Sequence, residues 1–190
     1  MSNSFVQDKE FHSLDYSAEE LIKGDYENCT FKNCKFSNLD LSDFNFSECE
    51  FSNCDLSMAK ILNTAFRDVQ FNNCKLLGLH FEQCNQFLLN VGFNRCQLNL
   101  SSFYQLNLKQ TRFKDCSLHE VDFTEADLTE STFENCDLSG AMFENTILQK
   151  ADLRTSFNFS IDPEINQIKK AKFSKDGLSG LMGKYDIDID

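Results

Sequence analysis

The stretch FKDCSLHEVDFTEADLTESTFENCDLSGAMFENTILQKADL, residues 113–153, decides the fold. Every fifth residue is large and apolar: Phe113, Leu118, Phe123, Leu128, Phe133, Leu138, Phe143, Leu148 and Leu153. Two residues before each stands a smaller one: Thr111, Cys116, Val121, Ala126, Ser131, Cys136, Ala141, Thr146 and Ala151. Most residues between them are polar. A period of five fits neither the helical repeat of about 3.6 nor the strand repeat of about 2. It requires an object with one large and one small inward residue in every five, and repetition at fixed period is the signature of a solenoid.

Upstream the same beat runs through Phe93, Leu98, Phe103 and Leu108, and before that from Tyr26 through Phe31, Phe36, Leu41, Phe46, Phe51, Leu56, Ile61, Phe66, Phe71 and Leu76 to Phe81. Phe81 and Phe93 are twelve residues apart, ten plus two. The phase therefore slips once, by two residues, within 82–92. In the second run Phe and Leu alternate, which puts Phe on two opposite faces. Units such as Cys54-Asp55-Leu56-Ser57 and Ala126-Asp127-Leu128-Thr129 resemble the pentapeptide-repeat family over roughly residues 26–155. That resemblance implies an all-β fold, a right-handed quadrilateral parallel β-helix with four repeats to a coil. Its coils would be spaced by the separation of hydrogen-bonded strands, about 4.8 Å.

Three segments follow. Residues 1–25 read as an N-terminal lead-in, with 1–10 a loose start. From 11 onward two readings stand. Phe11, Tyr16 and Leu21 continue the beat as an irregular first coil, whereas Ser17-Ala18-Glu19-Glu20 is a capping box for a short helix to Lys23. Residues 26–158 are the β-helix. Within the slip, Phe87-Leu88-Leu89 is too apolar for a solvent loop and reads as a bulge tucked onto the wall. Residues 159–190 read as a short, partly helical cap. Asp162-Pro163 suits the start of a helical turn, Lys170 to Phe173 suits a strand, and Ser174 can cap a helix carrying Leu178, Leu181 and Met182. The segment from Asp162-Pro163-Glu164-Ile165-Asn166 onward resembles the C-terminal part of the Qnr, MfpA and microcin-immunity branch. That likeness implies a homodimer through Phe173, Leu178, Leu181, Met182, Tyr185 and Ile187.

Thirty acidic against eighteen basic residues give a net charge of −12, which opposes direct nucleic-acid binding. No run of 18 apolar residues marks a membrane span, and the first residues lack the basic and apolar regions of a signal peptide. A cytoplasmic protein is expected. The nine cysteines suggest a metal or disulfide protein until their positions are read. All of them, Cys29, Cys34, Cys49, Cys54, Cys74, Cys84, Cys96, Cys116 and Cys136, fall in the small inward slot, where they serve as small hydrophobes. Without a CxxC pair or a nearby His, no zinc site is expected. A filled interior leaves no pocket, and His12, His80 and His119 join no catalytic spacing, so neither an enzyme nor a cofactor is expected.

Function must then lie on the surface. Nine acids, Glu120, Asp122, Glu125, Asp127, Glu130, Glu134, Asp137, Glu144 and Asp152, lie within 120–152, with Lys150 as the cation among them. The resemblance implies a rod that mimics duplex DNA, binds a type II topoisomerase such as DNA gyrase or topoisomerase IV, and gives immunity or resistance to gyrase-directed toxins or quinolones. Stacking the sequence by twenty weighs against a single stripe. Glu130 falls between Gln110 and Lys150, Glu134 between Lys114 and Arg154, and the nine acids spread over four sides as a belt. A solubilising wall explains such a belt equally well, as would a structural or adaptor solenoid with another protein partner. The chain also lacks the longer loops of Qnr proteins from Gram-negative bacteria.

Overall fold

The computed structural model describes residues 4–16, 21–185 and 187. Within them the chain is a parallel β-solenoid with one short C-terminal helix. Each five-residue unit forms one side and one corner. The corner residue takes φ near +50 to +60°, as at Asn53, Asn73, Glu120 and Glu125, and the next unit turns onto the next side. On many sides a four-residue turn closes it, as where Leu56 O accepts from Ala59 N at 3.0 Å with Met58 at positive φ.

Four units return the chain above its start, so partners lie twenty residues apart. One side carries β1 (Ser4–Gln7), β3 (Gly24–Glu27), β5 (Asn45–Ser47) and β7 (Ala65–Arg67). The adjacent side carries β2 (Glu10–His12), β4 (Thr30–Lys32), β6 (Glu50–Ser52), β8 (Val69–Asn72), β9 (Val91–Asn94), β10 (Arg112–Lys114) and β11 (Thr132–Glu134). All pairs are parallel; Phe31 opposes Phe51, and Phe51 opposes Phe71. Between Phe71 and Phe93 the step is twenty-two residues, which is the slip. Ala65 still pairs with Asn85, but Val69 pairs with Val91, so the two extra residues fall in 86–90.

The inward beat is the core. Phe31, Phe51, Phe71, Phe93, Phe113 and Phe133 are buried and stack in one column, with ring centroids 4.7 to 5.6 Å apart. Neighbouring columns meet edge to face, as at Phe93–Phe103, 5.9 Å. Both arrangements suit the aromatic quadrupole, and each buried ring contributes about 2–3 kcal/mol from its area alone.

The small slot does more than fill space. In most of these slots the hydroxyl or thiol donates to the carbonyl of the large residue twenty-three positions earlier, or twenty-five across the slip: Thr146 Oγ1 to Phe123 O at 2.8 Å, Cys74 Sγ to Phe51 O at 3.2 Å and, across the slip, Ser101 Oγ to Leu76 O at 2.7 Å. All nine cysteines are free and buried. Six of them, Cys34, Cys54, Cys74, Cys96, Cys116 and Cys136, occupy successive coils of one corner. Burial pushes Cys49, in a neighbouring column, up to about 12, which keeps it a thiol.

Three expectations are revised. Residues 4–10 are not a loose start: β1 and β2 already pair with the next coil. Val6 supplies the inward residue, opposite Tyr26. The ladder also passes residue 158, through the Ile147–Gln167 and Asp152–Lys172 bridges. The capping-box alternative at Ser17–Glu20 lies outside the described residues. Second, the slip is not tucked onto the wall. Phe87 and Leu88 are 69% and 64% exposed, because a filled interior has no slot for inserted residues; Leu89 alone turns inward. Third, the short helix of the cap is present, but it does not start at Ser174. Its one turn, α1 (Ser179–Met182), follows a bend in which Ser174 Oγ accepts from Gly177 N at 3.0 Å. A Cβ on Gly180 would sit 2.4 Å from Phe159 O, so only glycine allows this approach.

Candidate functional site

The nine acids were expected to form a belt opposed by one lysine. Their side chains divide into two groups. Five have a basic side chain as partner. Asp127 meets Lys109 at 3.2 Å, Glu134 meets Lys114 at 3.2 Å and Asp137 meets His119 at 2.8 Å. Glu130 pairs with Lys150, and Asp152 lies between Arg154 at 2.7 Å and Lys172 at 3.6 Å. Lys150 is therefore one of several opposing cations. The titration follows. Burial works against ionising Asp137, yet hydrogen bonds from Ser139, Asn158 and His119 outweigh it and hold its pKa at about 2. Burial likewise opposes Asp127, and Thr129 and Lys109 bring it below the usual carboxylate range. Lys150, then Gln110, lowers Glu130; Arg154 lowers Asp152.

The remaining four, Glu120, Asp122, Glu125 and Glu144, have no ion-pair partner among the described residues. They converge on one side. Glu120 and Glu125 are the corners that bracket the side whose inward residue is Phe123. Asp122 points outward from the middle of that side, on the ladder Ser102–Asp122–Met142. Glu144 follows Phe143 one rung further along the same side. Glu120 and Asp122 flank the buried Val121; Glu120, Glu125 and Glu144 are exposed. Two of the four are held in place. Gln105 Nε2 donates to Glu125 at 2.7 Å, and Asp122 accepts from Thr124 N at 2.8 Å. Carboxylates carried on a rigid side can bind cationic groups without ordering a flexible chain first.

The C-terminal candidates also divide. Leu181 is buried and Phe173 is half-buried with its ring 5.5 Å from Phe159, so both cover their own last coil. Leu181 is thereby corrected from a dimer contact to part of the monomer's core. Leu178, Met182, Tyr185 and Ile187 are exposed. Lys184 ties the cap to the rod through Asp162 at 2.8 Å and Glu164 at 2.6 Å, and Tyr185 Oη donates to Glu164 at 2.9 Å.

Among the described residues no group of three or more His, Cys, Asp or Glu is placed to hold a metal, and no helix is long and apolar enough to cross a membrane. A groove of about 710 Å³ lies beside the slip, lined in part by Arg67, Asp68, Leu88 and Lys109.

A family profile described as a pentapeptide repeat region matches residues 25–86 and 86–157. No curated protein matches the sequence. Among solved structures, a trypsin-treated form of QnrB1, described as a plasmid-mediated fluoroquinolone resistance protein, is 18% identical, covering 100% of this chain and 92% of that one with a TM-score of 0.60. HetL, a pentapeptide repeat protein involved in heterocyst differentiation regulation from the cyanobacterium Nostoc sp. strain PCC 7120, is 16% identical, covering 93% and 89% with a TM-score of 0.53. At these identities the likeness is one of fold.

Proposed function

The chain belongs to the pentapeptide-repeat family, and from that premise we propose that it is a protein-binding rod of the Qnr, MfpA and microcin-immunity kind. It acts inside the cytoplasm on a type II topoisomerase such as DNA gyrase. One observation carries the reading: of the nine acids within 120–152, the four that pair with no cation, Glu120, Asp122, Glu125 and Glu144, lie on one side of the rod. A solubilising coat needs no such sorting, because paired and unpaired acids serve it equally. Three carboxylates across one rung and a fourth on the next, the rungs lying about 4.8 Å apart, offer a DNA-binding groove charges in place of phosphates and raise its association rate. The consequence for the cell is immunity or resistance to a toxin or drug that traps the enzyme on DNA. The exposed Leu178, Met182, Tyr185 and Ile187 join two such chains into a homodimer.

Purified gyrase tests the reading in a supercoiling assay with and without a quinolone. Inhibition, or rescue from the poison, is expected at micromolar protein. The triple variant Glu120→Gln, Asp122→Asn, Glu125→Gln should lose the effect while keeping its melting temperature. No effect of the wild-type chain on supercoiling or poisoning overturns the proposal. Light scattering tests the dimer; a 21.9 kDa species at every concentration removes it.

A further inference from the structure

The side that carries the four unpaired acids changes character toward the slip. One rung before Glu120 its corner residue is Leu100, two before is Gly78 and three before is Met58. After the inward Phe103 comes Tyr104; after the inward Ile61 comes Leu62, which Glu82 on the intervening rung separates from Tyr104, and the middle of the side carries Lys60, His80 and Ser102. Met58, Leu62 and Leu100 are 60%, 58% and 62% exposed, and Tyr104 is at the edge of exposure. A Cβ on Gly78 would lie 2.5 Å from Met58 Sδ, so the Met58 side chain lies over the bare glycine and extends the apolar corner toward Leu100. The middle of the chain is also poor in acid. Between residues 61 and 110 the acids are Asp68 and Glu82 alone, and Glu82 accepts from His80 at 2.8 Å.

Two separate costs mark this surface. Water meets the apolar side chains. Met58 and Leu100 also hold φ of +57° and +62°, a region that asparagine or glycine enters easily and bulky residues enter at a cost. Equivalent corners elsewhere carry Asn38, Asn63, Asn73 and Gly140, or long polar side chains such as Arg95, Gln105 and Lys150. Folding alone would favour those residues at 58 and 100 as well. Apolar side chains at exposed corners where polar ones make the same turn point to a role outside folding.

We propose that Met58, Leu100 and Tyr104, on the part of this side nearest the acids, form an apolar docking surface for a protein partner that presents an apolar ridge followed by lysine or arginine. Charge complementarity fixes the partner's chemistry. The patch runs directly into Glu120 and Asp122, which have no cation of their own among the described residues. An apolar ridge seated over Gly78 and Leu100 would bring its basic end onto those carboxylates. Apolar contact supplies an anchor that salt does not screen, and the acids supply steering. The surface stands whether or not the partner is a topoisomerase.

A 14-residue peptide carrying a Leu-Leu-Tyr cluster followed by Arg-Lys-Arg is the probe, with two controls: serine in place of the cluster, and glutamate in place of the basic end. Amide shifts are followed on the full chain by nuclear magnetic resonance. The probe should move Gly78, Leu100 and Tyr104, and bind at least tenfold more tightly than either control. The double variant Met58→Asn, Leu100→Asn should lose that tenfold preference and melt at an equal or higher temperature. Equal binding of probe and controls, shifts confined to other sides, or full binding by the variant each overturns the proposal. So does a fall in melting temperature of more than about 4 °C, since the two side chains would then serve the fold.

Discussion

The coils before and after the slip solve the same packing problem with different columns. Before it, rings fill two adjacent sides: Tyr26, Phe46 and Phe66 stack on one, and Phe11, Phe31, Phe51 and Phe71 on the next. After it, rings fill opposite sides: Phe93, Phe113 and Phe133 continue the second column, while Phe81, Phe103, Phe123 and Phe143 build a new one. The Tyr26 column ends at Phe66, where the extra residues enter, and so does the sheet of β1, β3, β5 and β7. The side from β2 to β11 passes through without a break. Parallel ladders thus tolerate an insertion on one side, provided another side keeps its register. The cost is local: exposed Phe87 and Leu88, with Leu88 at φ +59°.

If the unbroken side makes the two stacks one cooperative unit, Phe123→Asp should unfold both. A carboxylate forced among stacked rings has no partner, and its penalty is on the order of 4 kcal/mol or more. Thermal melting by circular dichroism and hydrogen exchange would report it. Exchange that quickens after Phe93 but not before Phe71 would show instead that the slip separates two folding units.

A smaller effect concerns acid. Asp137 has a folded pKa of about 2 against an ordinary 3.8, so the unfolded chain binds its proton first. Its contribution is full above pH 3.8 and is lost as pH falls through 3.8 toward 2; we expect about 1–2 kcal/mol. Denaturant titrations at pH 5 and pH 2.5 measure it, and Asp137→Asn should flatten that difference. An unchanged pH slope in the variant would assign the acid sensitivity to other carboxylates.

The smallest effect is the most specific. Removing Gln86 and Phe87 leaves Cys84-Asn85-Leu88-Leu89-Asn90-Val91-Gly92-Phe93, an unbroken beat with Leu88 inward and Asn90 at the corner. The shortened chain should keep its circular dichroism and melt within about 3 °C of the parent or above it. Collapse of the fold would mean that the coils after the slip need the offset.

Much of this molecule was legible because its period is set by the chain itself. Once the beat is seen, Phe113 and Cys116 have one place to go. The sorting of the acids was not legible, for a geometric reason. Stacking by twenty aligns Lys114 with Glu134, but Lys109–Asp127 and His119–Asp137 are diagonal pairs eighteen residues apart. Long side chains lean across a rung, and a one-dimensional register misses them. Phe87 was misread because apolar content was equated with burial, whereas an inserted residue has no slot whatever its chemistry. Val6 lies on the beat five residues before Phe11, and that spacing was the signal for an earlier start.

The corner of six stacked cysteines gives the chain a built-in gauge. Each thiol is sealed by the coil on either side, so an aromatic disulfide reagent should find almost no reactive sulfur in the native protein. When coils open, sulfur becomes available in steps, one for each opened level of that corner. The number of fast-reacting thiols would then count how many levels have come apart and, read by mass spectrometry, show whether the rod frays from an end or parts at the slip.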